Sequence, residues 1–252
     1  MKETISKELL KNFCNKTIMM TKYIKKEYDD ITKKYNEENI YKNCYPIKVS
    51  KKANAKQKED INYILDSLFK SNLSVMSKMI DDGIIKWESV SKEVQLDDFK
   101  EKDFINNLIY EAWDKLYILK HIKYNLTMNF IMQLYLFLEK EINTLVIKLS
   151  DNPEKNLTLF SSIRLLEKDY NIVFSNEIKS KLNLYRNVIN VHKHGSGISF
   201  DEIIKEYDFI LNNKTVNNND SSFVFKPDYI NVNDIYNVIN KFVYEINLEC
   251  GD

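Results

Sequence analysis

The sequence is short of residues that break or bend a chain. Its 252 residues include only four glycines and three prolines. A sheet-rich fold of this length needs many more turn residues, so the scarcity predicts long helices with few breaks. Arginine is almost missing as well: of 37 basic residues, only Arg164 and Arg186 are arginine. Lysine serves on any solvated face, whereas arginine's planar fork alone takes a phosphate with two parallel bonds, so each arginine is informative. Net charge is also lacking, because 37 acidic residues balance the 37 basic ones. No global field draws nucleic acid or an anionic membrane, and a nucleic-acid partner has to be held by a local patch.

The three cysteines, Cys14, Cys44 and Cys250, are odd in number and far apart, and no CxxC or Cys/His ligand spacing exists. This excludes a zinc-finger-like site and predicts reduced thiols in a cytoplasmic protein, with no metal and no cofactor. The N-terminal MKETISKELLK is charged throughout, unlike a signal peptide. The longest strongly apolar stretch, residues 128–138, contains Asn129 and Gln133 and is too short to span a bilayer, so no membrane partner is expected.

What is present is apolar periodicity at helical spacing. Residues 4–38 read as one helix with Ile5, Leu9, Phe13, Ile18, Met19, Tyr23, Ile24 and Tyr28 on its stripe. A lysine-rich connector at 48–58 leads to a second stripe from Ile61 to Ile80, closed by Gly83. Two further stripes, from Phe104 to Leu119 and from Phe130 to Val146, meet at Lys123-Tyr124-Asn125 and can form one rod, ended by Asp151-Asn152-Pro153. A short helix follows at about 158–169. Another runs from 176 to Gly195, with Ser175 or Asn176 as N-cap. Residues 196–222 are polar with an Asn-rich tip and read as a loop, 223–225 as a short extended segment, and the last helix starts near Asn233. The expected fold is all-α, with an N-terminal helical extension at 1–95 and a helical bundle at 96–252.

One segment carries chemistry. Residues 184–197 read LYRNVINVHKHGSG, and two of three histidines, two of four glycines and one of two arginines fall within its last twelve residues. Histidine moves protons near neutral pH, and arginine stabilises charge developing on a phosphate. RNA supplies its own nucleophile, the 2′-hydroxyl, so these two groups suffice for cleavage without metal and leave a 2′,3′-cyclic phosphate.

The segment resembles the active motif of HEPN domains, R-x(4–6)-H with a polar residue after the arginine. Arg186 and His192 are separated by five residues, one more than the commonest spacing, and Asn187 follows the arginine. The RiboL-PSP and abortive-infection branch often shows R-N-x-x-x-H-x-x-G, and His192-Lys193-His194-Gly195 is similar to its H-x-x-G end. LYLFLEKEIN at 134–143 resembles an earlier helix of that branch, and LLEKDYNIVFSNEIKSKLNLYRN at 165–187 resembles its approach to the motif. The resemblance covers roughly residues 125–250. It implies a HEPN-like up-and-down helical bundle that cleaves RNA as a toxin or abortive-infection nuclease in anti-phage defence. Arg186 would hold the phosphate, His192 would act as base or acid, Asn187 would position the motif, and His194 would stand second in line. It also implies a C2 homodimer with both motifs in one cleft, and an antitoxin or defence-system protein as partner. The tyrosine used by HEPN toxins that nucleotidyltransferase antitoxins modify is replaced here by His194.

Supporting roles are expected at three positions. Glu139 would orient Arg186 or a histidine, Tyr185 would stack on a base together with Tyr124, and Gly195 would end the helix. Plainer readings stand beside these: Arg186 in an ion pair with a neighbouring helix, and His192 and His194 as favourable charges at a helix C-terminus. Asn187 is then a surface polar residue, Arg164 a surface salt-bridge residue, His121 a structural histidine, and Trp87 and Trp113 core or interface. On that view the chain is a catalytically inactive HEPN-like scaffold or sensor that binds RNA or a protein.

Overall fold

The structure is a computed structural model that describes residues 2–33, 72–83, 88, 89, 92, 102–150, 157–212 and 223–250. Every regular element among the described residues is helical: α1 (Lys2–Thr32), α2 (residues 72–81), α3 (Lys102–Leu149), α4 (Leu159–Tyr170), α5 (Asn176–His194), α6 (Ile198–Tyr207) and α7 (Val232–Cys250). A 3-10 turn at Asp208–Ile210 follows α6. The expected extended segment at 223–225 appears as one antiparallel bridge, Leu211 to Phe225. The two stripes expected to meet near Tyr124 do form a single rod, the 48-residue α3.

The chain divides into two units. The first comprises Met1–Asp29, Leu126–Asp208 and Ile230–Asp252, and the second Asp30–Asn125 and Phe209–Tyr229. The boundary expected near residue 95 lies outside the described residues, as do Trp87, Cys44 and the lysines at 48–58.

The first unit buries one face of each of its helices. On α3 these are Ile131, Leu134, Leu138, Ile142 and Leu145, at the three-and-four spacing a bundle needs. On α7 Ile235, Val238, Ile239, Phe242, Val243 and Ile246 are buried as their spacing predicts, and Phe242 stacks on Phe174 at 4.6 Å. On α1 the buried stripe differs from the expected one. It runs through Leu10, Phe13, Cys14, Thr17 and Thr21, while Ile18, Met19 and Tyr23 are exposed. Thr21 can face the core because its hydroxyl donates to the Thr17 carbonyl at 2.8 Å, whereas the Thr17 hydroxyl is buried without a partner.

Caps fix the helix ends around the motif. Thr158 and Ser161 form a capping box at the start of α4, and Asn171 closes that helix at φ 55°. Ser175 caps α5, settling the choice between Ser175 and Asn176. Gly195 ends α5 with φ 74° and donates its N–H to the Val191 carbonyl.

The polar stretch after Gly195, read as a loop, instead holds α6. Phe200 and Ile203 are buried there, and the helix starts directly from Gly197 without a side-chain cap. Its apolar pattern is only ten residues long, which hides it in the sequence. In the second unit α2 and the first half of α3 enclose Met76, Ile80, Ile109, Ala112, Trp113 and Leu116.

Candidate functional site

The apolar stripe of α5, Ile178, Leu182, Tyr185 and Ile189, sets the rotation of this helix and hence what its polar residues meet. Tyr185 lies within the stripe, fully buried, with its hydroxyl donating to Asp234 at 2.8 Å. Burial, followed by the Asp234 carboxylate, pushes its pKa far above the phenolic range. Its expected role as a base-stacking platform is corrected: the ring has no exposed face.

Arg186 projects from the neighbouring position, with 43% of its side chain exposed. Its guanidinium lies over the Phe160 ring of α4, 5.4 Å from the centroid. Nη2 is 4.0 Å from the Glu202 carboxylate of α6, a loose ion pair between two half-exposed groups. Such a pair contributes about 0–1 kcal/mol. Nε is buried and has no hydrogen-bond partner. The Nε/Nη2 edge, on which arginine receives an oxyanion with two parallel bonds, is thus not hydrogen-bonded to the protein among the described residues. The Arg186 charge also acts on Tyr135 of α3, whose pKa is raised first by burial and then by Glu139, with Arg186 opposing.

Asn187 is buried, at 2% exposure, and not a surface residue. Its Nδ2 donates to Glu202 Oε2 at 2.7 Å, while its Oδ1 is buried without a partner. Arg186 and Asn187 therefore address the same carboxylate oxygen. Alongside them, Asn190 donates to Ser199 at 3.2 Å, a further tie between α5 and α6.

His192 sits in the last turn of α5, half-buried, and burial lowers its pKa below 6.5. The neutral imidazole, the form that accepts a proton, dominates at pH 7. His194 is exposed. Together with Lys193 these histidines lie where the helix dipole favours positive charge, as the plainer reading predicts.

Arg186 and His192 do not meet on one helix face. The helix is continuous through His194, so six steps along it turn by ~240° beyond a full turn, which leaves the two side chains ~120° apart around the axis and ~9 Å apart in rise.

Three expectations change. Glu139 makes no ion pair with Arg186. It accepts the Leu159 backbone N–H at 3.0 Å, serving the first turn of α4 because that N–H has no intrahelical partner. Arg164 is exposed and makes no ion pair among the described residues. Tyr124 belongs to the second unit, where its ring packs edge-on against Phe223 and burial raises its pKa to about 12. His121 is half-buried beside the same phenylalanine, 5.1 Å between centroids, and Trp113 stacks on Tyr117, both as structural residues.

Glu202 and Phe160 are the neighbours of Arg186 that the sequence does not announce. Glu202 lies on the overlooked helix α6. The recurrence of apolar residues at Phe200, Ile203, Ile204 and Tyr207 is the signal that locates it.

Comparison with protein-family profiles, with curated proteins and with solved structures finds no match to this chain. Among the described residues no group of three or more His, Cys, Asp or Glu side chains is placed to hold a metal ion, and no helix is long and apolar enough to cross a membrane.

Proposed function

We propose that this protein is a metal-independent endoribonuclease of the toxin or abortive-infection type, with a HEPN-like bundle that works as a C2 homodimer. The observation that carries the reading is the half-exposed Arg186, whose Nη2 stays 4.0 Å from the Glu202 carboxylate, on the same helix as a half-buried His192 that burial keeps toward its neutral form. His192 takes the proton of an RNA 2′-hydroxyl. The 2′-oxygen attacks the adjacent phosphorus, the bond to the 5′-oxygen breaks, and that oxygen leaves after gaining a proton. The products are a 2′,3′-cyclic phosphate and a 5′-hydroxyl. Arg186 neutralises the charge that builds on the non-bridging oxygens. Asn187 holds the helix face behind it, and His194, exposed at the helix end, is the second proton carrier.

The wide azimuth between Arg186 and His192 calls for a second protomer, whose motif completes the cleft. The test is incubation of purified protein with mixed RNA in EDTA, for wild type, Arg186→Ala and His192→Ala. The expected result is cleavage by wild type, cyclic-phosphate ends, and a loss of activity in both variants. Unchanged cleavage in both removes the mechanism.

A second reading is favoured by that same azimuth. With Arg186 and His192 apart in one protomer, the fold can serve as a catalytically silent scaffold or sensor that binds RNA or a protein in a defence complex. RNA binding that depends on Arg186, without turnover at any protein concentration, selects it.

A further inference from the structure

The carboxylate of Glu202 stands beside Nη2 of Arg186, the guanidinium of which is half-exposed apart from its buried Nε. Asn187 Nδ2 holds that carboxylate by a 2.7 Å bond, yet Arg186 Nη2 stops 4.0 Å short and makes no hydrogen bond to it. A committed structural salt bridge would close this gap, because a bidentate fork at ~2.8 Å is the preferred arginine–carboxylate geometry. Instead Nε remains buried and unpaired, and Asn187 Oδ1, on a residue 2% exposed, is unpaired as well. A buried polar group without a partner is unfavourable, so the arrangement is not a closed salt link. Both charged side chains are more than two-fifths exposed, so an anion from solvent can reach the terminal nitrogens of the guanidinium, while Nε stays buried.

We infer that Glu202 is an anionic gate: its carboxylate holds the place of a phosphodiester beside Arg186 and must swing aside before the RNA backbone can dock there. The inference rests on reading Arg186 as a phosphate ligand. The gate lowers affinity for every polyanion and leaves the site closed to isolated phosphates. RNA with several contacts along its backbone displaces Glu202, because the other contacts offset the displacement. Asn187 then loses its acceptor, and a non-bridging phosphate oxygen takes up its Nδ2.

The experiment measures binding of a mixed-sequence 2′-O-methyl oligoribonucleotide, which carries no 2′-hydroxyl and therefore cannot be cleaved by this route. Glu202→Gln keeps the size of the side chain and an acceptor for Asn187 while removing the charge. It is expected to tighten binding about five- to tenfold, the range of a single close charge contact. Asp201→Asn, a neighbouring exposed carboxylate on the same helix, controls for general charge and is expected to change affinity less than twofold. In an Arg186→Ala background Glu202→Gln is expected to give no gain, since the gate has nothing left to guard. No tightening, or an equal gain with and without Arg186, overturns the gate. Cleavage of ordinary RNA is scored separately: tightening through Arg186 without cleavage by any form leaves the gate standing and removes the nuclease reading, and cleavage without tightening does the reverse.

Discussion

Tyr185 donates its hydroxyl to the carboxylate of Asp234 across 2.8 Å from a ring with no exposed surface, and so pins the rotation of α5 one residue ahead of Arg186. Lys181 approaches the same Asp234 oxygen at 3.1 Å. Tyr185→Phe is expected to lower stability by about 1–2 kcal/mol, as for a hydrogen bond to a charged acceptor that keeps a second partner. It should leave RNA affinity unchanged, because the ring never meets solvent. Tyr185→Ala is expected to cost about 3–5 kcal/mol through the cavity it leaves. Urea unfolding of the three forms is the check, and a Phe variant as stable as wild type refutes the role given to the hydroxyl.

The half-buried imidazole at position 192 makes stability depend on acid. Burial lowers its pKa in the folded chain below 6.5. As pH falls through 6.5, the unfolded chain therefore takes up the proton first, and stability present above that pH is lost until the folded pKa is also passed. His192→Asn removes this contribution, so its stability should fall less than that of wild type between about pH 7 and pH 5. Cleavage should keep its full rate at neutral pH and decline only below 6.5, since a general base works unprotonated. Identical acid losses in wild type and variant count against the buried imidazole.

Arg186→Lys should fare little better than Arg186→Ala. A lysine keeps the charge and loses the fork, so cleavage is expected to drop about 10²–10³-fold in either case. Stability should change by no more than ~1 kcal/mol, because the pair with Glu202 is long and half-exposed. Parallel measurement of cleavage and Tm separates the two effects. Full activity in the lysine variant argues that only charge is needed.

Mixing Arg186→Ala with His192→Ala protein should restore part of the lost cleavage. In a mixed dimer one protomer offers His192 and the other Arg186, which rebuilds one complete cleft of the two. About half of randomly paired dimers are mixed, so recovery to roughly a quarter of wild type is the ceiling. Recovery near zero at concentrations where the mixed dimer forms rules out a cleft shared between protomers.

Much of the helical order was legible because burial obeys a period. The stripes from Ile109 to Leu116 and from Phe130 to Val146 lie on one continuous rod, since Lys123, Tyr124 and Asn125 between them carry nothing that stops a helix. The same logic places Tyr185, three residues after Leu182 and four before Ile189, in the core, although chemistry made it attractive as a base platform. Two things escaped. On α1 Thr17 and Thr21 replace the expected apolar residues on the buried face; the Thr21 hydroxyl, satisfied by its own helix, is cheap to bury, and the buried Thr17 hydroxyl has no partner. At α6 the pattern is one short helix that starts from a glycine, and polar composition outweighs two buried residues. The arginine, the asparagine and the histidine of the motif were visible as rare residues. The carboxylate that the arginine and the asparagine face was not, because it lies fifteen positions beyond Asn187 on the element that polarity concealed.

The turn between α5 and α6 is made by two glycines with positive φ, Gly195 at 74° and Gly197 at 151°. A Cβ at Gly197 would meet nothing within 4 Å, so conformation and not crowding reserves the position for glycine. The joint between α5 and α6 is three residues long, and where Glu202 lands against Asn187 depends on its dihedral angles as well as on the Asn190–Ser199 tie. The joint works as a tuning screw: a substitution there leaves Arg186, Asn187 and Glu202 in the sequence and still moves the carboxylate relative to the other two, so the geometry of the motif can drift through positions outside it.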